Sequence, residues 1–302
     1  MTLRDRQLNL SAGLLSVGVA LVLVAAKLWA LNQTGALSVA ASLADSALDL
    51  MMSAGGLLAI AYAAKPADED HAFGHSSAED LAALAQCLFI LVSAALITGA
   101  AVLRLIEGEV PLPRNEGQGI AVVVFSIVVT LGLVAWQRHV AAQTGNRVVA
   151  ADSLHYMGDL IPNLGAILAL VVSARYGLGQ VDSLVAIGAA MFLAWGALRI
   201  GKGAWDALMD RRADPEMIAG IELIATGFPG VLGHHDLKTR VAGSRVFVNL
   251  HIELDGSQSL TEAHAIGAAL RRAILAEYPR ADVLIHKDPA GEPRHPDDPR
   301  PD

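Results

Sequence analysis

The chain has 302 residues, of which 54% are hydrophobic and 17% charged, a composition that excludes an ordinary soluble globular protein and indicates a membrane protein. Its formal net charge of -8 argues against nucleic acid as a partner. The one cysteine, Cys87, excludes an intramolecular disulfide and a cysteine-based metal cage.

Six apolar stretches are long enough to cross a bilayer as helices, which takes roughly 20 residues each. They lie at 10–31, 36–63, 81–105, 117–139, 148–174 and 180–203. The first is too long for the apolar core of a signal peptide, and similar stretches follow it, so we interpret it as a span. Residues 1–211 are therefore predicted to form an all-α membrane domain with six transmembrane helices.

Lysine and arginine are unevenly distributed among the segments that connect these spans. They concentrate at the N-terminus, in the loops after the second and fourth spans, and after the sixth span. Because basic residues accumulate on the cytoplasmic side of membrane proteins, both termini are predicted to be cytoplasmic.

The composition changes after the sixth span, and residues 212–290 are predicted to form a cytoplasmic α+β domain of the ferredoxin-like, metallochaperone type. Its elements follow in the order α-β-β-α-β, over "PEMIAGIELIATGF", "HDLKTRV", "RVFVNLHIEL", "SLTEAHAIGAALRRAILAEY" and "ADVLIHKD". The second strand alternates, so that Leu250 is predicted on one face and His251 on the other. Residues 291–302, rich in proline, aspartate and arginine, are predicted to be a disordered tail.

Two pairs of ionisable side chains lie well inside predicted spans. Asp45 and Asp49 on the second span, and His155 and Asp159 on the fifth, are each spaced i, i+4 and so share one helix face. An unpaired carboxylate at mid-bilayer costs at least ~3 kcal/mol, so three of them need a compensating cation or protons. A divalent cation held by three carboxylates and one imidazole meets this need.

The donor set narrows the choice of ion. Four ligands of mixed oxygen and nitrogen type fit tetrahedral Zn²⁺ and also accept Fe²⁺, while Mn²⁺ is expected to require more oxygen ligands. Without metal, burial and mutual repulsion favour protonated carboxyl groups, so metal binding is expected to release protons. The hypothesis is an exchanger of metal for protons. The alternative interpretation is polar contacts between helices, or acids that line an aqueous vestibule.

Two other charged residues receive structural interpretations. Asp152, one turn nearer the cytoplasmic end than His155, is interpreted as a helix-end or access-channel acid. Lys27, in the first span, is expected to extend toward the membrane surface.

Taken together, these motifs resemble the cation diffusion facilitator family, and within it the bacterial YiiP-like, or ferrous-iron efflux, branch. The resemblance covers roughly residues 10–290 and rests on "SLADSALDL", "PADEDHAFGH", "ADSLHYMGD", "HDLKTR", "NLHIEL" and "IHKDP". It implies a homodimeric antiporter of the bacterial inner membrane that exports Zn²⁺, or Fe²⁺, Cd²⁺ or Mn²⁺, against protons.

The resemblance also implies three places where metal binds. The transport site is placed at the intramembrane residues Asp45, Asp49, His155 and Asp159. A loop site, for which a solvated acidic loop is the alternative, is placed at Asp68, His71 and His75. A site in the cytoplasmic domain is placed at His235, His251, His264, His286 and Asp288. Metal in this last site is expected to tie two protomers together, which makes dimer stability metal-dependent.

The sequence departs from the family at one position. Relatives carry a lysine two residues after the second loop histidine, and this lysine pairs with an acid after the sixth span. Here the lysine position is Ser77, while the acid is present as Asp210. That ion pair cannot form in this chain.

The motifs also bear on other functional classes, namely a membrane enzyme, a metal sensor or scaffold, and an exporter of another metal. An intramembrane metalloprotease requires a motif such as HExxH and an open coordination position, and neither is present, so no enzyme activity is expected. The alternatives that stay open are a membrane-bound metal sensor or scaffold that binds without transport, and an exporter selective for Mn²⁺ or Fe²⁺.

Overall fold

A computed structural model describes residues 3–34, 37–107, 117–158, 160 and 181–291 of the chain. The helices of the first two thirds are α1 Leu3–Thr34, α2 Leu37–Ala63, α3 Ser77–Glu107, α4 Gly117–Thr144, α5 147–158 and α6 Val181–Leu208. Five of them, α1 to α4 and α6, are long and apolar enough to cross a membrane. Most of the fifth predicted span, 148–174, lies outside the described residues.

Small side chains let the helices of this unit approach each other closely. α3, α5 and α6 meet around the buried residues Cys87, Ala151 and Ala197. Gly196 on α6 faces Leu154 on α5, and a Cβ added to the glycine would lie 2.9 Å from the leucine methyl groups. A larger residue at 196 would therefore push the two helices apart.

The chain from Asp206 forms a separate compact unit. Its elements are α7 Pro215–Thr226, β1 Gly233–Ala242, β2 Arg245–Leu254, α8 Leu260–Glu277 and β3 Ala281–Pro289. The sheet has the strand order β1-β2-β3, with β1 and β2 antiparallel and β2 and β3 parallel. The predicted order α-β-β-α-β is confirmed, and so is the fold class, a helical membrane region followed by an α+β domain.

The alternation of β2 builds the core of this second unit. Leu250 and Ile252 are fully buried and belong to one hydrophobic cluster with Leu270 and Ile274 of α8. Burial of such a side chain contributes about 1.5–3 kcal/mol. The opposite face of β2 is thereby left for polar residues, among them His251, which is partly exposed.

α8 begins as its sequence predicts. The Ser259 side chain accepts a hydrogen bond from the backbone N–H of Glu262, and the Glu262 side chain accepts one from the backbone N–H of Ser259. This reciprocal capping satisfies donors that the first helical turn leaves unpaired. The predicted tail, 291–302, lies outside the described residues apart from its first residue.

Candidate metal sites

The structure brings together one residue from each of the two predicted intramembrane pairs. His155 Nε2 on α5 lies 3.0 Å from Asp49 Oδ1 on α2. The two side chains are only 12% and 15% exposed, respectively. An oxygen donor and a nitrogen donor, both of which bind divalent transition metals, therefore meet between two helices.

The other two predicted transport residues are not described to the same extent. Asp45 belongs to α2, one turn before Asp49, but its side chain lies outside the described part of the structure. Asp159 lies outside the described residues altogether. Their participation in the site stays a prediction.

Lys27 does not extend toward the membrane surface as expected. Its Nζ donates a hydrogen bond of 2.6 Å to Ser46 Oγ on α2, and Ser46 is only 1% exposed. Because Ser46 directly follows Asp45, a basic side chain reaches α2 beside the predicted site. The sequence shows that Lys27 lies in a span, but only the packing of α1 against α2 decides which way its side chain points.

The three residues of the predicted loop site lie close together between α2 and α3. Asp68 Oδ1 is 3.2 Å from His71 Nδ1, and Asp68 Oδ2 is 3.3 Å from His75 Nε2. One donor atom from each residue lies within 4.8 Å of the others, which is the spacing that a shared metal ion requires. The His75 side chain is 2% exposed and packs edge-on against Tyr62, whereas Asp68 and His71 face solvent.

A backbone hydrogen bond keeps the loop carboxylate charged. The N–H of His71 donates to Asp68 Oδ1 at 2.7 Å, and this bond, with the side chains of His71 and His75, holds the pKa of Asp68 below its ordinary value. Asp68 is therefore ionised at neutral pH and stays so well into the acidic range. Whether metal occupies this loop stays a prediction.

In the second unit, three adjacent strands each bring a histidine to the same level of the sheet. His235 on β1 lies opposite His251 on β2, which in turn lies opposite His286 on β3. Asp288 is two residues beyond His286 and so shares its face. The Asp288 Oδ2 atom is 3.0 Å from His251 Nδ1 and 3.5 Å from His235 Nε2, and its Oδ1 atom is 3.1 Å from His286 Nε2. One carboxylate thus touches three imidazoles.

Two more acids border this cluster, and neither was among the predicted ligands. Glu253 Oε1 lies 3.3 Å from His235 Nδ1, and Asp236 Oδ2 lies 3.8 Å from His251 Nε2. In a regular strand Asp236 would face away from His235. A bulge between His235 and Lys238 interrupts the alternation, and Asp236 takes a positive φ of 47°. In the sequence, Asp236 directly follows the two adjacent histidines of "HHD", which is the only hint of its role, and these three letters do not predict a bulge.

His264 is the fifth residue predicted for this site, and it lies on α8 with an exposed side chain. Within the described structure it does not join the group of His235, His251 and Asp288, whose donor atoms lie within 4.8 Å of one another. Its role as a further ligand stays a prediction.

The acid that the family pairs with a lysine has a different partner here. Asp210, which follows α6, lies 3.2 Å from Arg240 on β1. Ser77, at the lysine position, begins α3. The retained acid therefore contacts the sheet of the second unit through an exposed ion pair.

Comparison with known proteins shows the family of this chain. Residues 13–209 match the family model described as the cation efflux transmembrane domain, and residues 213–290 match that of the cation efflux protein cytoplasmic domain. The chain belongs to the cation diffusion facilitator family. As a member of this family it is a multi-pass membrane transporter that mediates cation efflux, and it is not an enzyme. Its cytoplasmic domain is of the kind through which these facilitators dimerise and bind metal.

Individual relatives of this facilitator carry the name cation-efflux pump FieF. One from Cronobacter sakazakii is 42% identical over 279 residues, which is 92% of either chain. One from Klebsiella pneumoniae is 39% identical over the same length and share. Among solved structures, the metal-bound C-terminal domain of the CzcD transporter from Thermotoga maritima aligns at 31% identity with a TM-score of 0.25, covering 26% of this chain and 91% of that one.

Proposed function

We propose that this facilitator exports divalent transition-metal cations from the cytoplasm in exchange for protons, with Zn²⁺ as the preferred cargo. The observation that carries the proposal is the contact of 3.0 Å between Asp49 of α2 and His155 of α5. A carboxylate and an imidazole are costly to bury among apolar helices, and a bound divalent cation offsets that cost.

The ligand set supports Zn²⁺ as cargo. With Asp45 and Asp159 the site offers three carboxylates and one imidazole, which suits a tetrahedral Zn²⁺ ion. Fe²⁺, Cd²⁺ and Mn²⁺ are the competing ions, because geometry rather than raw affinity decides selectivity at such sites. The relatives named cation-efflux pump are consistent with any of these metals.

The same contact supports coupling to protons. A hydrogen bond between Asp49 Oδ1 and His155 Nε2 holds one hydrogen between these atoms. A metal ion bound to both atoms displaces that hydrogen, so loading the site expels it and unloading lets it return. If the site opens to the two sides of the membrane in turn, the metal and the proton move in opposite directions.

The remaining sites fit the same function. The distribution of basic residues supports a topology in which residues 1–211 span the inner membrane and both termini and residues 212–290 are cytoplasmic. The cluster around Asp288 then binds cytoplasmic metal and strengthens a homodimer. The loop of Asp68, His71 and His75 is a further metal site beside the membrane.

Flux in proteoliposomes tests this function. Purified protein is reconstituted with a pH dye inside the vesicles, and Zn²⁺, Fe²⁺, Cd²⁺ and Mn²⁺ are compared as cargo. Zn²⁺ uptake should be fastest and should be accompanied by proton movement in the opposite direction. Asp49→Asn, His155→Ala and Asp159→Ala should each abolish uptake, yet leave metal binding by the cytoplasmic domain intact.

Asp210→Asn is the matched control for Asp49→Asn, because it makes the same chemical change at an exposed acid outside the site. It should retain parental flux. Uptake that survives Asp49→Asn, or flux that neither responds to nor creates a pH gradient, contradicts the proposal. A protein that binds metal in every assay but moves none would instead be a membrane-bound sensor or scaffold.

A further inference from the structure

A buried polar cluster lies between α1, α2, α4 and α5, with Asp152 of α5 at its centre. Asp152 is 6% exposed, so it is enclosed by the helices rather than placed at an exposed helix end. Its Oδ2 atom accepts hydrogen bonds of 2.6 Å from both Ser16 Oγ and Gln137 Nε2. Ser53 lies 2.8 Å from Ser16 and 3.0 Å from the Tyr156 hydroxyl, which extends the cluster along α2 and α5.

Two acceptor oxygens of this cluster receive no hydrogen bond in the described structure. Within the described structure, Asp152 Oδ1 and Gln137 Oε1 are buried and have no hydrogen-bond partner. Both residues line a small cavity of about 10 Å³, together with Ser53 and Gly56. This is room for a single water molecule. A buried carboxylate whose partners are a hydroxyl and an amide has no charge to balance its own, and a proton on Asp152 supplies what the cluster lacks.

We propose that Asp152 is a proton-carrying site of the transporter, which holds one proton while the transport site is free of metal and releases it when metal binds. The inference rests on the proposed exchange of metal for protons. In the release step the O–H bond of the carboxyl group breaks, the electron pair stays on the carboxylate, and the proton passes to water in the cavity.

The geometry explains why metal would drive this release. Asp152 and His155 are three residues apart on one helix, about 4.5 Å along its axis. A doubly charged ion at His155 and Asp49 therefore favours the charged form of Asp152. The hydrogen bonds from Ser16 and Gln137 to Oδ2 stabilise that charged form once it appears.

Among the described residues, few other titratable groups lie near Asp152. On α5 they are His155 and Tyr156, and from α2 Asp49 faces the same region. The contacts that α1 and α4 make with Asp152 are with an uncharged hydroxyl and an uncharged amide. Asp49 is already paired with His155, so among the carboxyl groups that the structure describes in this region Asp152 is the one available to take a proton.

The test counts the protons released when Zn²⁺ binds to the purified full-length protein, in weakly buffered detergent solution with a pH dye. His71→Ala and His251→Ala are included in every sample, so that the transport site is the remaining predicted site. Asp152→Asn keeps the size of the side chain and an acceptor for Ser16. It should release about one proton fewer per Zn²⁺ bound than this parent.

Two further variants separate a proton carrier from a structural acid. Ser16→Ala also removes a donor to Asp152 Oδ2 but keeps the carboxyl group, so at saturating Zn²⁺ it should still release as many protons as the parent. Gln137→Leu removes a donor that stabilises the charged form. The pH at which Zn²⁺ binding is half-maximal should therefore move upward in Gln137→Leu.

An unchanged proton count in Asp152→Asn overturns the inference, as does an equal loss in Ser16→Ala. If Asp152→Asn fails to fold, an unmoved binding midpoint in Gln137→Leu overturns it instead. A parent that binds Zn²⁺ without releasing any proton contradicts the proposed function itself. Failure of the proposed function is thus distinguished from failure of the inference about Asp152, because it is measured in the parent alone.

Discussion

Replacing Asp288 by asparagine should remove most of the metal-dependent stability of the cytoplasmic domain. The carboxylate contacts His251 at 3.0 Å, His286 at 3.1 Å and His235 at 3.5 Å. Its charge and its two acceptor oxygens are what allow it to bridge these groups. An asparagine side chain is neutral and has one acceptor oxygen, so it cannot hold a metal ion beside these three imidazoles in the same way.

The size of the effect follows from ligand linkage. Metal present at 100 times its Kd stabilises the folded domain by about 2.7 kcal/mol. Changes to groups that support a metal ligand weaken affinity by up to about 100-fold, and loss of the bridging ligand itself should reach that value. The same metal concentration then equals the new Kd, and the stabilisation falls to about 0.4 kcal/mol. The difference of about 2.3 kcal/mol corresponds to about 9–18 °C in Tm for a domain of this size.

Hydrogen exchange of β2 measures this in the full-length protein. With Zn²⁺ at 100 times Kd, amide exchange in residues 245–254 should slow about 100-fold in the parent and about 2-fold in Asp288→Asn. Asp282→Asn is the matched control, because Asp282 lies on β3 at an exposed position and on the same face by its spacing. It should behave as the parent. Equal slowing in Asp288→Asn and the parent would refute the assignment of Asp288 as the bridging ligand.

Three more predictions concern stability and pH. Leu250→Ala removes a fully buried side chain from β2 and should lower the free energy of unfolding by about 2–5 kcal/mol, seen as faster β2 exchange without metal. Arg147→Ala removes one ion-pair partner of the fully buried Asp80; because Arg147 is itself 26% exposed, we expect a loss of up to about 3 kcal/mol, seen as earlier thermal aggregation in detergent. Since the His71 N–H lowers the pKa of Asp68, the stability that this bond lends the loop is present above the ordinary aspartate pKa and is lost as the pH falls through the lowered value. Loop exchange should therefore rise only at strongly acidic pH, and Asp68→Asn should remove that pH dependence.

The sequence was sufficient for features that depend on local periodicity. Long apolar stretches predicted the helices of the membrane region, and the alternation in "RVFVNLHIEL" predicted which face of β2 is buried. The pairing of Asp49 with His155 could also be anticipated. Two ionisable pairs at helical spacing inside apolar spans are too costly to leave apart, so the chemistry itself indicated that they meet.

Other features of the sites depend on strand register and helix rotation, which only the tertiary structure shows. That His235, His251 and His286 stand at one level follows from how three strands pair, and the place of Asp236 beside them follows from a bulge. From the sequence, Asp152 is interpreted as a helix-end or access-channel acid; only the rotation of α1 and α4 shows that Ser16 and Gln137 contact its carboxylate.

One physical difference separates the two kinds of feature. Periodicity along one element is written in consecutive residues, so it can be read before folding. Register, bulges and helix rotation are settled by side chains packing across elements that are distant in the chain, so they appear only once the molecule is folded.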